Sequence, residues 1–158
     1  MTRLIALDVG EARIGVAVSD PTGLLASPYT TLHVSGDELQ MWTSIQQLIS
    51  ETEAEGLVIG LPVSLDGQIH AQGQRIQAFA ERLKPNITIP ISFWDERLST
   101  VEAQRLLIER EQIAGYRRQK RNGQHRSRSR RCRQRQGIDA LAAAVILQEY
   151  LDQQRNTP

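Results

Sequence analysis

A single cysteine, Cys132, stands in the 158 residues, so no disulfide can form within the chain and stability must come from a packed core. Such sparing cysteine use fits a reducing compartment, and a cytoplasmic protein is expected. Aromatic residues are also scarce, at 4%, which leaves aliphatic side chains to fill the interior. Long hydrophobic runs are missing. No stretch approaches the roughly 20 apolar residues of a membrane-spanning helix, so no membrane partner is expected. The first ten residues lack the form of a signal peptide, because the apolar run Leu4 to Leu7 is interrupted at Asp8. The length allows one compact core and is too short for two ordinary domains, so a single domain over residues 1–158 is expected.

A local absence says more. From Arg117 to Arg135 there is no acid, and ten residues are Lys or Arg. The other nine basic residues face all eighteen acids, so the formal net charge of +1 hides a body at −9 beside one concentrated cationic segment. That asymmetry suggests a polyanionic partner; the bland reading is a solvated loop. From Gly115 to Gln136 Ile, Leu, Val and Phe are all absent. Such a segment cannot bury enough apolar surface to offset the entropy of ordering, which predicts a disordered Arg-rich loop over 115–136.

The remainder is patterned. Leu4 to Val9 reads as a buried strand, Ile14 to Val18 as a second and the β-branched stretch Ser27 to Val34 as a third, with turns at Gly10–Gly15 and Asp20–Gly23. Ser35 and Glu38 have capping-box spacing. Leu39, Trp42, Ile45 and Ile49 then recur at helical intervals. Gly56 to Leu61 predicts a buried strand, Ile69 to Leu83 a helix and Thr88 to Trp94 a strand near an edge because of Pro90. Ser99 and Glu102 form a second candidate capping box, opening a helix through Leu106 and Leu107. Ile138 to Leu151 predicts a helix apolar almost all round, hence deeply packed. An antiparallel meander followed by βαβ units gives an α/β protein with a mixed five-stranded sheet and helices on both faces.

Three acids stand out by position. Asp8 ends a buried strand, Glu96 follows the strand Thr88 to Trp94, and Asp139 opens the buried last helix. In open α/β sheets, ligand sites form outside the carboxyl ends of strands. A buried carboxylate needs a donor or a cation, and converging carboxylates need a hard divalent ion with oxygen ligands. Each acid also has a structural reading. Asp8 could accept from turn amides near Gly10, Asp139 could complement a helix N-terminus, and Glu96 could pair with Arg97. Asp95 and Glu96 compete for one role, because neighbours in an extended chain point to opposite faces.

These pieces join into a recognisable order: Leu7-Asp8-Val9-Gly10 with Arg13-Ile14-Gly15-Val16-Ala17, then Val58-Ile59-Gly60-Leu61-Pro62 and Ala78-Phe79-Ala80-Glu81-Arg82-Leu83. Asp95-Glu96-Arg97-Leu98-Ser99-Thr100 and Ile138-Asp139-Ala140-Leu141-Ala142-Ala143 follow. In that order they resemble the YqgF or RuvX-like family, relatives of the RuvC Holliday-junction resolvases. The likeness covers about residues 3–110 and 137–152. It implies a ribonuclease H-like fold and a hydrolase acting on phosphodiester bonds, an endonuclease that processes the 5′ end of pre-16S rRNA in ribosome biogenesis. It implies Asp8, Glu96 and Asp139 as catalytic metal ligands for Mg2+ or Mn2+, prefers Glu96 over Asp95, and implies phosphate contacts from Arg13 and Arg97. Arg126, Arg128, Arg130 and Arg131 of the cationic segment are expected to bind nucleic acid.

Two departures from the family pattern stand out. Gly115 to Gln136 is longer and richer in Arg than the family's usual connection. The resolvase relatives also carry an acid near the end of the strand that here reads Gly60-Leu61-Pro62, which argues against true junction resolution. The competing readings are a structure-selective nuclease of branched, Holliday-junction-like DNA, and a non-catalytic RNA-binding ribosome-assembly factor. The Asp8-x-Gly10 turn also resembles the first phosphate motif of actin-like ATPases, but that fold needs two such domains, which this length cannot supply. The sequence assigns no oligomeric state.

Overall fold

The computed structural model describes residues 2–34, 36–64, 66–96 and 128–157. Strands β1 (Leu4–Val9), β2 (Arg13–Ser19) and β3 (Ala26–His33) are followed by helix α1 (Glu38–Thr52), β4 (Gly56–Leu61), α2 (Ala71–Leu83), a short 3-10 turn (Lys84–Asn86), β5 (Ile91–Asp95) and helix α3 (Arg128–Asn156). The five strands form one sheet in the order β3-β2-β1-β4-β5. β1 pairs antiparallel with β2 and β2 with β3, whereas β4 lies parallel to both β1 and β5. This is the expected meander joined to a βαβ unit, with β1 at the centre.

Alternation along the strands sends side chains to two different layers. Ile5, Leu7, Val9, Ile14, Val16, Leu57, Ile59 and Leu61 pack with Trp42, Ile45, Ile76, Phe79 and Leu83 of α1 and α2. Trp42 and Phe79 meet there with ring centroids 5.3 Å apart. On the other face Ala6, Ala17, Val58 and Trp94 pack under Ala143, Ala144, Ile146 and Leu147 of α3. Small residues on both sides of this second layer let the helix come close to the sheet. The tightest approach is at Gly15, where a Cβ would lie 1.9 Å from the Asp139 carbonyl oxygen. Gln148 of α3 then ties the helix to the β2–β3 loop, accepting from Ala26 N and donating to Leu24 O. Within that loop the exposed Asp20 carboxylate accepts from Thr22 Oγ1, Leu25 N and Leu24 N, which lowers its pKa to about 2.

Several local expectations are corrected. The cap of α1 is Asp37, whose Oδ1 accepts from Leu39 N and Gln40 N, in place of the Ser35–Glu38 capping box. Glu38 is the first helical residue, so the side chain immediately before it has the reach to the free amides. β5 starts at Ile91, after Pro90, which has no N–H to donate but still accepts from Leu57 N. The register of β2 against β3 shifts between Val16 and Ala17, which face Thr30 and Pro28, so Tyr29 is the extra residue of a bulge next to a proline.

The largest correction concerns the expected disordered loop. α3 begins at Arg128, so its last part, 128–136, is helix. Arg and Gln are good helix formers, and extending a helix already held by the packed stretch from Ile138 is far easier than nucleating a new one. The rest of that segment lies outside the described residues, as do Ser99, Glu102 and the helix expected through Leu106 and Leu107.

Candidate active site

β1, β4 and β5 run parallel, and the hairpin from Gly10 to Arg13 turns the chain back into β2 at their carboxyl end. Asp8 shares the α3 face with Leu4 and Ala6, since side chains alternate along a strand. It is half-buried on the central strand. Its partner on β2 is Gly15. On the other side, the register Leu7–Ile59 continued by one residue sets Gly60 of β4 beside it. Asp8 is therefore flanked on both sides by glycines.

Each glycine makes room for another acid. Over Gly15 lies the backbone of Asp139, and the Asp139 side chain turns to Arg13, whose Nε donates to its Oδ2 at 2.6 Å. The pair is part-exposed, with side-chain exposures of 31% for Arg13 and 24% for Asp139. Over Gly60 lies the carboxylate of Glu96, whose Oε1 would be 2.7 Å from a Cβ placed there. Asp95 pairs in register with Leu61, which belongs to the α1–α2 core, so Asp95 is on the opposite face from Glu96. Thus Asp8, Glu96, Asp139 and Arg13 share one face at one end of the sheet, brought there from β1, the end of β5, α3 and β2.

The expectation that Asp139 opens its helix does not hold. α3 starts at Arg128, so Asp139 stands well inside it and cannot be complementing free amides at a helix N-terminus. Its ion-pair partner, 126 residues away in sequence, has no local signature. Arg13, expected as a phosphate contact, is placed as the counter-charge to Asp139. Arg97 and Arg126 lie outside the described residues, and Arg128, Arg130 and Arg131 stand in the first turn of α3. The features that sequence reasoning passed over are Gly15 and Gly60. The available signal was a glycine inside a strand, which marks close approach by another group.

Three carboxylates on one face are the donor type that a hard divalent ion takes. In donor chemistry and in facing, the residues fit such an ion. They do not form a closed cage: among the described residues no three His, Cys, Asp or Glu side chains are grouped closely enough to hold a metal. Asp139 has Arg13 as its neighbour instead. No described helix is long and apolar enough to cross a membrane.

Comparison with known proteins places the chain. Residues 2–153 match the family model RuvX, described as Holliday junction resolvase. A protein of Thermoanaerobacter pseudethanolicus is 42% identical over 98% of this chain and 99% of its own length. One from Roseiflexus sp. is 42% identical over 97% and 96%. Both carry the name "Putative pre-16S rRNA nuclease". Among solved structures, T. thermophilus RuvC in complex with a Holliday junction substrate aligns over 98% of this chain and 97% of its own, at 12% identity and a TM-score of 0.49. With a family model matched along nearly its whole length, and relatives of this similarity covered almost completely, the chain belongs to the RuvX (YqgF) family of nucleases, hydrolases of phosphodiester bonds.

Proposed function

We propose that this nuclease trims the 5′ end of the small-subunit ribosomal RNA precursor in the cytoplasm, with Asp8, Glu96 and Asp139 as ligands for Mg2+ or Mn2+. The observation that carries this reading is that Asp8, Glu96 and Asp139, from three separate elements, lie on the α3 face at one end of the sheet, with Glu96 over Gly60 and the Asp139 backbone over Gly15, the two glycines that flank Asp8. The names of the relatives support the substrate. A divalent ion bound there supplies Lewis-acid stabilisation of the charge that builds on the phosphate. Asp8 is the fixed member of the set, because it sits on the central strand with β2 and β4 on either side. Glu96 and Asp139 contribute from the flanks. Arg13 keeps Asp139 oriented, and its guanidinium, one-third exposed, offers a forked donor to a phosphate that approaches this end of the sheet. The Arg-rich segment supplies sequence-independent attraction for the RNA backbone.

A second reading has its own observation: the matching family model is described as a Holliday junction resolvase, which favours branched DNA as substrate. One experiment separates the two. Purified protein and Asp8→Asn are incubated with a small-subunit precursor RNA and, separately, with a four-way DNA junction, each with and without Mg2+. Cleavage of the RNA at the 5′ side of the mature sequence, dependent on metal and lost in Asp8→Asn, is the expected result. Full activity of Asp8→Asn sinks the metal-site assignment, and preferential cutting of the junction overturns the RNA assignment. Binding without metal-dependent cleavage of either points to an assembly factor.

A further inference from the structure

Gly60 stands in the interior of β4, a strand buried along its whole length. Glycine there loses more chain entropy on folding than any other residue and brings no side chain to pack. Its backbone does not require glycine: among the described residues, the glycines with positive φ are Gly23 and Gly67. What the position lacks is room. A Cβ at Gly60 would lie 2.7 Å from Glu96 Oε1, 3.5 Å from Glu96 Cδ and 2.7 Å from Ile146 Cδ1. Two flexible side-chain ends therefore fill the space, one of them a carboxylate.

The register explains the carboxylate's path. Gly60 pairs with Trp94 and Leu61 with Asp95, so Glu96 leaves the end of β5 one residue beyond the paired ladder. Its side chain comes back across β4 and lies in the notch that Gly60 leaves open. That notch borders Asp8 on the adjacent strand. We propose that Gly60 is a positioning residue: by lacking a Cβ it lets the Glu96 carboxylate lie across β4 toward Asp8, and so sets the affinity of this site for a divalent cation. The inference rests on the metal-site reading given above. It does not apply to Gly15, where the obstructing atoms are helix backbone and any side chain must move α3 itself.

The experiment measures Mn2+ binding directly, from the free-ion signal in electron paramagnetic resonance, on the protein without nucleic acid. The variants are Asp8→Asn, Glu96→Gln, Gly60→Ala, Ile146→Val and the double variant Gly60→Ala with Ile146→Val. Shortening Ile146 removes its Cδ1, the apolar atom among the described residues that the new methyl would strike at 2.7 Å, so the double variant has space to fold even where Gly60→Ala alone is destabilised. Groups that orient metal ligands typically contribute about 10- to 100-fold to metal affinity, and Gly60→Ala is expected to weaken Mn2+ binding within that range. The double variant stays as weak as Gly60→Ala, while Ile146→Val alone binds like wild type. Wild-type affinity in Gly60→Ala, or recovery on adding Ile146→Val, overturns the inference, because the methyl would then act through packing and not through Glu96. If Asp8→Asn and Glu96→Gln also bind Mn2+ like wild type, the metal-site reading itself falls, a result distinct from failure of Gly60 alone.

Discussion

Against α1 and α2 the central strands present Ile5, Leu7, Val9, Leu57 and Ile59; against α3 the same strands present Ala6, Asp8, Val58 and Gly60. The first face is filled by branched aliphatic side chains that keep water out. The second keeps its side chains small, so that a helix can rest on the strands and carboxylates can lie between them at the sheet's end. A leucine at Gly60 or Gly15 would improve apolar burial in isolation and would remove the space in which Glu96 or Asp139 sits. The branched face carries the larger aliphatic side chains, and the proposed metal ligands lie on the other face.

Substitutions on the two faces should therefore separate stability from activity. The largest loss of stability is expected from Ile59→Ala, fully buried under α1 and α2. Truncating such a residue costs about 2–5 kcal/mol, read as a shift in the urea midpoint, while cleavage per folded molecule stays near wild type. A matching loss of activity in the folded fraction would break the division between the faces.

Glu96→Gln tests the other side of it. On the proposed metal-ligand role, losing a charge worth about 3 kcal/mol in the transition state corresponds to roughly a 100-fold fall in kcat, with little change in stability. Asp95→Asn, facing the α1–α2 layer at its edge, is expected to leave kcat close to wild type. Equal losses in the two would show that the face does not decide the role.

Gly15→Ala should affect both properties at once. The added methyl meets the Asp139 carbonyl at 1.9 Å, so α3 must move and carry Asp139 with it. Overpacking of this kind costs about 1–3 kcal/mol, and cleavage should fall in parallel. Gly36→Ala, with nothing within 4 Å of the added methyl, is the matched control and should be silent in both assays.

The smallest effect concerns the cationic segment, outside both faces. Replacing Arg126, Arg128, Arg130 and Arg131 with Ser should weaken RNA binding across sequences and leave kcat at saturating RNA nearly unchanged. If all four contact phosphate, the slope of log affinity against log salt becomes shallower by about 3 units, at about 0.7 per phosphate on a single strand. Filter binding over a salt series measures it, and an unchanged slope would leave these arginines with no part in RNA binding.

Much of the fold was legible because hydrophobic periodicity is local. The meander, the buried β4 and the amphipathic α1 and α2 each follow from alternation or helical spacing within a few residues. Element ends were less legible. Asp37 displaced Ser35 as the cap of α1, and Pro90 delayed β5, because ends are decided by single hydrogen bonds and not by a repeated pattern. The start of α3 was misread for a related reason. Composition describes what 128–136 could do alone, whereas a helix already anchored by Ile138, Ala142 and Ile146 can extend through it.

The sequence by itself determined which side chains are apolar and at what period, and hence a mixed sheet with helices on both faces. It also displayed the three acids and the ordered motifs that tie the chain to its family. Only the tertiary structure decided which face each acid occupies, that Glu96 crosses β4 while Asp95 turns away, and that Arg13 meets Asp139. It also showed why Gly15 and Gly60 must be small. The physical reason is range: periodicity acts between neighbours in the chain, whereas the space under a helix and the partner of a charge are set by strand register and close packing between residues far apart in sequence.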